Sequence, residues 1–396
     1  MMTNLASPTR VLSLDRLGIG DLERAAVYLS GRDRPSVVVV RDARPFPELE
    51  EAFLDLERGL GAVRLDRIVP NPRSEDIGSM VGEAKGRDVD LVIGVGGGSA
   101  LDSAKAVSLM LANPGLLEDY LGSQPGRTPE RKGPKLLLIP TTTGTGSEVT
   151  RFGVYTDRSG RKHTLASPFI QPDAALLVAS AVQDIPPALL AATAYDAITH
   201  ALETLWNRNA TSLSDSLATD ALCALLNAVT PAFAARSRGS RDASVTALLE
   251  AACLAGAAFN ITGTAAIHAL SFVLSEEWHQ SHGLACAFFV DSVYQANLAH
   301  EPTLHKLAAA ARRLPDAVAT GDDEAAAAWL GRRLVELRSS LKLPATFAEL
   351  GVERGALGPG RIAELFDKIQ SDRKLGNNAV ALDREAVRAL VAAKLG

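Results

Sequence analysis

The first part of the chain alternates short apolar runs with longer segments of helical periodicity. Four apolar runs rich in valine, isoleucine and leucine are predicted to be buried strands, at residues 36–40, 62–69, 90–95 and 135–139. Between them, residues 47–60 (PELEEAFLDLERGL) and 101–113 (LDSAKAVSLMLAN) are predicted to be helices, and another helix is predicted to begin near Ser74. Strands that alternate with helices predict a mostly parallel α/β sheet with right-handed crossovers.

The pattern changes after residues 184–187 (DIPP), beyond which the chain is rich in alanine and leucine with helical periodicity. A chain of 396 residues also exceeds the size at which one hydrophobic core usually keeps growing. The sequence therefore predicts an α/β domain over residues 1–183 and an all-α domain over residues 184–396.

The composition of the chain argues against nucleic acid and membranes as binding partners. A net charge of −5 without a basic stripe along any helix argues against nucleic acid. No uninterrupted apolar run reaches the roughly 18 residues of a membrane span, and residues 1–10 lack the order of a secretion signal. The three cysteines are widely spaced and include no CxxC pair, which is typical of a reducing compartment. We expect a cytoplasmic protein without a membrane or nucleic-acid partner.

A glycine-rich turn follows the third predicted strand, at Gly96, Gly97, Gly98 and Ser99, and leads into the helix that carries Asp102. Glycines at this point let a backbone approach a phosphate closely, and the helix N-terminus offers free N–H groups to an anion. The turn matches neither GxGxxG nor the GKS/T phosphate loop, and a triplet of glycines is often only a tight turn. Its place at the carboxyl end of a strand makes a phosphate site an equal alternative.

A second loop of this kind, residues 140–148 (PTTTGTGSE), follows the fourth predicted strand. Two polar, glycine-containing loops, each closing a parallel strand, favour a dinucleotide site over two capped turns. Asp42 ends the first strand, where a carboxylate can accept hydrogen bonds from the adenosine ribose and repel a 2′-phosphate. Arg41 and Arg44 beside it can instead attract that phosphate, so both NAD and NADP stay open, with NAD favoured.

The stretch TAYDAITHALE, residues 193–203, contains the clearest chemical signal. Asp196 and His200 are four residues apart on a predicted helix, so their side chains leave the same face. This pair alone can also be a capping aspartate and a core histidine. His268 and His282 follow in the same helical part of the chain. One carboxylate and three imidazoles suit a divalent transition metal, Fe(II) or Zn(II), better than Mg or Ca.

These motifs together resemble the iron-containing (group III) alcohol dehydrogenases over nearly the whole length. The resemblance rests on GGGSALDSAKA, PTTTGTGSEVT, YDAITHALE and the spacing of fourteen residues from His268 to the pair His282-Gly283. It implies a Rossmann-like N-terminal dinucleotide domain, a helical metal-binding domain and a homodimer. It assigns the metal to Asp196, His200, His268 and His282, and the cofactor to Asp42, Gly96, Gly97, Gly98, Ser99, Asp102, Thr141, Thr142, Thr145 and Ser147.

One position departs from the family pattern. Many members carry a histidine four residues after the third ligand, where this chain has Phe272. An imidazole that relays the alcohol proton is therefore missing at that place. His279 is a possible substitute, and transfer from solvent past an aromatic wall is the simpler alternative.

The substrate is narrowed by three further segments, HALSF, RKHTLASP and LGNNAV, which look like those of phosphonoacetaldehyde reductases. That subgroup reduces phosphonoacetaldehyde to 2-hydroxyethylphosphonate. A phosphonate needs cationic or N–H partners. The candidate substrate residues are Arg151, Lys162, His163, Phe272, Lys374, Asn377 and Asn378, each of which can also be an ordinary surface residue.

The resemblance implies hydride transfer between a nicotinamide and a small aldehyde or primary alcohol, with a metal as Lewis acid. Two other reaction types stay open. One is a reductase of an ordinary short aldehyde or diol, which includes glycerol-dehydrogenase-like zinc enzymes. The other is a lyase like dehydroquinate synthase, which uses NAD only transiently. A non-catalytic binding protein requires the metal set to be accidental.

Overall fold

The structure is a computed structural model that describes residues 8–42, 46–240, 242–317, 321–352, 358, 360, 364 and 367–395. Arg44, one of the two arginines considered for a 2′-phosphate, lies outside the described residues. The chain divides between Ile185 and Pro186 into two compact units. We call the N-terminal one the sheet unit and the C-terminal one the helical unit.

The sheet unit is built on a six-stranded sheet in which every pairing is parallel. In chain order its strands are β1 (Arg10–Leu14), β2 (Val37–Arg41), β3 (Val63–Leu65), β4 (Leu91–Gly96), β5 (Lys135–Pro140) and β8 (Ala174–Val178). An antiparallel hairpin of β6 (Phe152–Thr156) and β7 (Lys162–Ala166) stands apart from this sheet. The strand order is β1-β8-β5-β4-β2-β3. Strand β3 is added on one side of β2, and β4 and the later strands are added on the other side. The position between β2 and β4 is therefore a topological switch point, where ligands of such sheets bind.

Helices cover both faces of this sheet: α1 (Asp21–Ser30), α2 (Pro47–Leu60), α3 (Ser74–Ala84), α4 (Gly98–Ala112) and the short α5 (Ala179–Val182). Strand β2 shows why they do so, because its four valines alternate between two cores. Val38 and Val40 belong to the core that includes α3 and α4, whereas Val37 and Val39 belong to the core that includes α1 and α2. A strand buried on both faces cannot show polar alternation, which explains its unbroken apolar run.

The predicted parallel α/β class is confirmed, but the predicted strand set was incomplete. The segment predicted as a strand over residues 62–69 pairs only at Val63–Leu65, as an edge strand beside β2. Strands β1 and β8 and the hairpin were not predicted. β1 pairs with β8 across more than 160 residues, and its side chains are mostly exposed. The local hydrophobic pattern therefore does not predict β1.

The described residues of the helical unit form helices, turns and one isolated β-bridge between Asn207 and Asn378, but no β-strand. Its helices are α6 (Pro187–Leu205), α7 (Ser212–Ser237), α8 (Ala243–Thr262), α9 (Ala266–Glu277), α10 (His282–Asn297), α11 (Glu301–Ala311), α12 (Asp323–Ser340), α13 (Arg373–Gly376) and α14 (Arg384–Ala392). The predicted all-α class of this region is confirmed.

Helix α6 is the central element of this unit, because α7, α8 and α10 all pack against it. From Tyr195 to Leu205 every residue of α6 is buried. Helices α7 and α8 are long and apolar enough to span a membrane by length and composition alone, but 50% and 61% of their most apolar windows are buried within the unit. Packing against α6 and against each other accounts for that apolar composition.

Candidate active site

Three imidazoles of the helical unit converge on one carboxylate oxygen, Asp196 Oδ1. Asp196 and His200 stand one turn apart on α6, as their spacing predicts. Three imidazole nitrogens surround Asp196 Oδ1: Nε2 of His268 at 3.5 Å, of His282 at 3.6 Å and of His200 at 3.8 Å. The structure therefore brings together the four residues that the sequence predicts as metal ligands.

His268 is held in place by Glu203, a residue to which the sequence analysis gave no role. Glu203 is fully buried on α6, and its carboxylate accepts hydrogen bonds from the backbone N–H groups of Ala265, Ile267 and His268 at the start of α9. It also accepts the Nδ1–H of His268 at 2.7 Å. A carboxylate on Nδ1 fixes the tautomer that leaves Nε2 as a lone-pair donor.

A sequence signal for Glu203 did exist. It lies seven residues after Asp196 and therefore two turns along the same face of α6. An acidic residue on the buried face of an apolar helix needs a partner, and here that partner is the first turn of α9.

His282 is placed by close packing of α10 on α6. It is the first residue of α10, and Gly283 follows it. A Cβ atom at Gly283 would lie 2.1 Å from the carbonyl oxygen of Ala192 and 3.3 Å from Asp196 Cβ. Only glycine lets the helix come this near, and that approach brings the His282 ring to Asp196.

The donor set fits a metal ion. Asp196 Oδ1 and His268 Nε2 are buried and have no hydrogen-bond partner. Leaving such groups unpaired is costly unless a ligand satisfies them. A tetrahedral ion with bonds of about 2.1 Å separates its ligand atoms by about 3.4 Å. The distances of 3.5 to 3.8 Å from Asp196 Oδ1 are close to that separation.

The neighbouring imidazoles favour the ionised form of Asp196. Burial raises the pKa of this carboxyl, but the imidazoles of His200, His282 and His268 oppose burial and bring the pKa far below its usual range. Asp196, His200 and His268 are 2–4% exposed, whereas the side chain of His282 is 34% exposed. The cluster is therefore closed except on the His282 side.

A fifth potential ligand, which the sequence analysis did not identify as one, lies at the same point. Cys286 is fully buried one turn after His282 on α10. Its Sγ and one ligand atom each of Asp196, His268 and His282 all lie within 4.8 Å of one another. The four-residue spacing from His282 to Cys286 places both on one helix face, and that spacing was visible in the sequence.

The two glycine-rich loops of the sheet unit also lie together. Thr141 N–H donates to the Gly96 carbonyl at 2.9 Å, which joins the ends of β5 and β4. Added Cβ atoms at Gly97 and Gly98 would lie 3.3 Å from Thr142 Cγ2 and 2.9 Å from Thr145 Cγ2. The two loops thus form one surface at the carboxyl edge of the sheet, beside the N-terminus of α4.

Asp42 directly follows β2 at the switch point next to this surface. Gly96 has φ +144°, and a Cβ there would lie 2.6 Å from Asp42 Oδ2 and 2.6 Å from Ala100 Cβ. Ser99, whose hydroxyl accepts the Asn71 N–H at 3.2 Å, lies in the first turn of the same helix as Ala100. The predicted cofactor residues of the two loops and Asp42 are therefore neighbours.

Two of the predicted cofactor residues are engaged within the protein. Asp102 is buried and accepts hydrogen bonds from the Ser147 hydroxyl at 2.7 Å and from the Val154 N–H at 2.8 Å. These contacts fix the second loop and strand β6 to α4. By contrast, the Thr142 hydroxyl is buried without a hydrogen-bond partner, which suits a group that meets a ligand.

Arg41 does not face the switch point as a free cation. It is 3% exposed, donates from Nη2 to Glu50 at 2.9 Å, and lies over the rings of Phe46 and Phe53. Its guanidinium is directed to α2, so the interpretation that it attracts a 2′-phosphate loses support.

The candidate substrate residues fall into two groups. Arg151, Lys162 and His163 lie in the sheet unit, beside or on the β6–β7 hairpin. His163 Nε2 pairs with Asp157 Oδ2 at 2.7 Å, and the Arg151 guanidinium lies 4.9 Å from the ring centre of Phe152.

The second group lies in the helical unit. The Lys374 ammonium stands 3.6 Å over the ring of Phe272, and that ring is 6.2 Å from the ring of His282. Lys374 also pairs with Asp372 at 3.0 Å. A cation is thus placed one aromatic ring away from the metal-ligand cluster.

The two remaining substrate candidates, Asn377 and Asn378, contact other groups. Asn378 is fully buried, and its amide bonds with the amide of Asn297 and with Val380 O, which are structural contacts. Asn377 donates to Thr264 O at 2.8 Å. His279 is exposed on the loop before α10 with φ +53°, and among the described residues it does not join the converging ligand atoms.

Comparisons with known proteins identify the family. Residues 16–178 match "Iron-containing alcohol dehydrogenase", and residues 190–395 match "Fe-containing alcohol dehydrogenase family, C-terminal". The sulfoacetaldehyde reductase of Bilophila wadsworthia (strain 3_1_6) is 32% identical over 323 residues, covering 81% of each chain. Long-chain-alcohol dehydrogenase 1 of Geobacillus thermodenitrificans (strain NG80-2) is 38% identical over 216 residues, but this match spans only 54% of each chain.

A solved structure shares the fold over its full length. The sulfoacetaldehyde reductase of Bifidobacterium kashiwanohense, solved in complex with NAD+, superposes with a TM-score of 0.83 at 23% identity, covering 100% of this chain and 99% of that one. These matches confirm the family that the motifs predict. The chain belongs to the iron-containing alcohol dehydrogenases and is an oxidoreductase of alcohols and aldehydes.

Proposed function

We propose that this enzyme reduces a short aldehyde to a primary alcohol with NADH, at a metal ion held by Asp196, His200, His268 and His282. The convergence of three imidazole nitrogens on the buried Asp196 Oδ1 carries this proposal. When bound, Fe(II), or alternatively Zn(II), supplies Lewis acidity toward the carbonyl oxygen, and the nicotinamide supplies the hydride. Glu203 orients His268 for that task through Nδ1.

NAD is the proposed cofactor, with NADP as the alternative. The glycine surface at Gly96, Gly97 and Gly98 offers backbone N–H groups at the start of α4 for the pyrophosphate. The carboxylate of Asp42 suits a ribose 2′-hydroxyl and repels a 2′-phosphate. Arg41, which would favour NADP, is bound to Glu50. The solved relative bound to NAD+ supports the same choice.

The proton that completes the alcohol comes from solvent in this proposal. Phe272 has no titratable group, and its ring lies 6.2 Å from that of His282. The His282 side chain is the exposed member of the cluster, so water can reach the site there. His279 is exposed nearby in sequence but is not needed for this path.

For the substrate we propose a short aldehyde with an anionic group, and phosphonoacetaldehyde as the specific compound. The observation in favour is the Lys374 ammonium, which is 14% exposed and held over Phe272 next to the cluster. An ammonium in a partly desolvated place binds an anion more strongly than one in bulk water. The relative named sulfoacetaldehyde reductase points to the same class, since a sulfonate is also an anionic group.

A reductase of neutral aldehydes is the second candidate. Asp372 already neutralises part of the Lys374 charge, and the ring of Phe272 is apolar. The relative named as a long-chain-alcohol dehydrogenase favours this reading. A lyase like dehydroquinate synthase is less well supported, because the matched family is one of alcohol dehydrogenases.

The deciding experiment compares phosphonoacetaldehyde, sulfoacetaldehyde and propanal in stoichiometric NADH oxidation by wild type and Lys374→Met. We expect a strong preference of the wild type for the anionic aldehydes. For these substrates, kcat/KM should fall roughly tenfold in the variant, which corresponds to the loss of about one charge-assisted hydrogen bond. Propanal should be unaffected. The exposed Lys85 provides a control, Lys85→Met, which should change neither substrate. Equal turnover of propanal and the anionic aldehydes in wild type would contradict the anionic substrate.

We also propose that the enzyme is a cytoplasmic homodimer. The family resemblance supports the dimer, and three buried cysteines that form no disulfide support a reducing compartment. Analytical ultracentrifugation tests the dimer, and a monomer at micromolar concentration would contradict it.

A further inference from the structure

A buried thiol borders the metal-ligand cluster on the α10 side. Cys286 is fully buried, and its Sγ lies 3.8 Å from His282 Nε2. A metal bound to sulfur at about 2.3 Å and to nitrogen at about 2.1 Å separates the two atoms by roughly 3.1 Å when the two bonds are at right angles and by roughly 3.6 Å at the tetrahedral angle. The observed separation is close to that of two ligands of one ion.

The thiol also lies close to the unsatisfied atoms of the cluster. Asp196 Oδ1 and His268 Nε2 are buried without hydrogen-bond partners. Cys286 Sγ, His282 and these two residues place one ligand atom each within 4.8 Å of one another. Packing alone does not compensate the burial of an unpaired carboxylate oxygen and an unpaired imidazole nitrogen. An ion at the centre of these four ligand atoms would bind both.

The other two cysteines provide a contrast. Cys223, on α7, directs its thiol at the Ala310 carbonyl at 3.6 Å, and Cys253 is buried within α8. Neither joins a group of converging metal-ligating atoms among the described residues. Burial of a thiol is common, whereas burial among two imidazoles and a carboxylate is a property of Cys286 alone in this set.

We propose that Cys286 is a thiolate ligand of the metal ion, in addition to Asp196 and the histidines. The inference rests on the metal site of the proposed function. When the Sγ–metal bond forms, the thiol proton leaves to solvent, as metal binding to cysteine requires. A soft thiolate shifts the preference of the site toward Zn(II), Co(II) and Fe(II) and away from Mn(II) and Mg(II).

X-ray absorption on the full-length Zn(II)-loaded enzyme tests the inference directly. We expect a sulfur scatterer at about 2.3 Å together with nitrogen and oxygen scatterers at about 2.1 Å. Replacement by Co(II) should give a thiolate-to-cobalt charge-transfer band in the near ultraviolet. Both signals should vanish in Cys286→Ser and persist in the matched controls Cys223→Ser and Cys253→Ser.

Affinity gives a second readout that is independent of turnover. Cys286→Ser should still bind one metal ion per chain but should bind Zn(II) at least about tenfold more weakly, with a smaller loss for Mn(II). If this variant does not fold, the wild-type spectra alone decide the question. One metal ion per chain without a sulfur scatterer overturns the inference and leaves the proposed function intact. Failure to bind any metal overturns both.

Discussion

The metal-ligand cluster of the helical unit and the glycine surface of the sheet unit are built in opposite ways. The cluster keeps Asp196 Oδ1 and His268 Nε2 buried and without hydrogen-bond partners. In the glycine surface, the buried carboxylate of Asp102 is satisfied by Ser147 and Val154. There the glycines allow the protein's own groups to pack closely, since a Cβ at Gly96 or Gly98 would contact a neighbouring side chain at 2.9 Å or less.

This difference predicts different consequences of mutation. A metal-ligating atom that is unpaired in the free protein contributes favourable energy only when the ligand binds. Its removal therefore affects ligand binding more than folding. A glycine at a close approach is needed in the free protein too, so its replacement affects folding as well as binding. The following predictions test that contrast, beginning with the largest effect.

Asp196→Ala should reduce kcat/KM for the aldehyde by on the order of a thousandfold. The substitution removes the oxygen that all three imidazoles face. Without the metal ion, the transition state loses several kcal/mol of Lewis-acid stabilisation. Metal content should fall to background, while the melting temperature of the metal-free protein should change little. Asp33→Ala, at an exposed position of the sheet unit, is the control. An Asp196→Ala variant that keeps both the metal and the activity would contradict the assignment of this cluster as the metal site.

Gly96→Ala should lower the free energy of unfolding by about 3 kcal/mol, because it combines an unfavourable φ of +144° with Cβ contacts at 2.6 Å to Asp42 and Ala100. The matched control is Gly86→Ala, where φ is +88° and no atom lies within 4 Å of the added Cβ. We expect about 1 kcal/mol there, from backbone strain alone. Chemical denaturation measures both, and equal losses would show that the close approach at Gly96 is unimportant.

Glu203→Gln should weaken metal binding by about 10- to 100-fold, the usual effect of removing a carboxylate that orients a metal-bound histidine. Competition with a chromophoric chelator measures this affinity. Glu250→Gln on the exposed side of α8 should leave it unchanged. If Glu203→Gln instead lowers stability without changing metal affinity, Glu203 acts only as the cap of α9.

The buried Lys105 of the sheet unit gives an effect that is spread over a range of pH. Burial lowers the pKa of Lys105 from 10.5 to about 8, although Asp102 and Glu148 oppose this shift. Between these values the unfolded chain holds a proton that the folded chain lacks, so stability rises with pH and is lost as pH falls through about 8.

The slope from this one group is at most about 1.4 kcal/mol per pH unit. Denaturation curves between pH 7.5 and about 10 should therefore show a shallower rise in Lys105→Met than in wild type or in Lys85→Met. A variant with the wild-type slope would show that Lys105 keeps its proton throughout this range.

Much of this architecture could be predicted from the sequence, and the omissions have a common cause. The runs that end in Gly96 and Pro140 were recognisable because β-branched or leucine-rich strands lead directly into polar loops. β8 (Ala174–Val178) was not predicted, since its alanines and leucines fit a helix equally well. Its strand state is decided by pairing with β1 and β5, which no local pattern records.

The site shows the same limit. The spacing of Asp196 and His200 follows from the helix period, so the local half of the cluster was predictable. The contact between Glu203 and His268 depends on how α9 docks on α6, and the meeting of Cys286 with Asp196 depends on how α10 packs there. That packing requires Gly283, whose role is visible only when the facing carbonyl of Ala192 is known. The assignment of the four ligands stays a prediction until a metal is measured.

Removal and return of the metal tests the central claim most directly. The enzyme is stripped with a chelator, and aldehyde-dependent NADH oxidation is followed while Fe(II) or Zn(II) is titrated back into wild type and His268→Ala. We expect the stripped wild type to be inactive, to regain activity with an endpoint of one ion per chain, and the variant to stay inactive. Full activity in the stripped wild type, or an equal recovery in His268→Ala, would contradict a metal centre at Asp196, His200, His268 and His282.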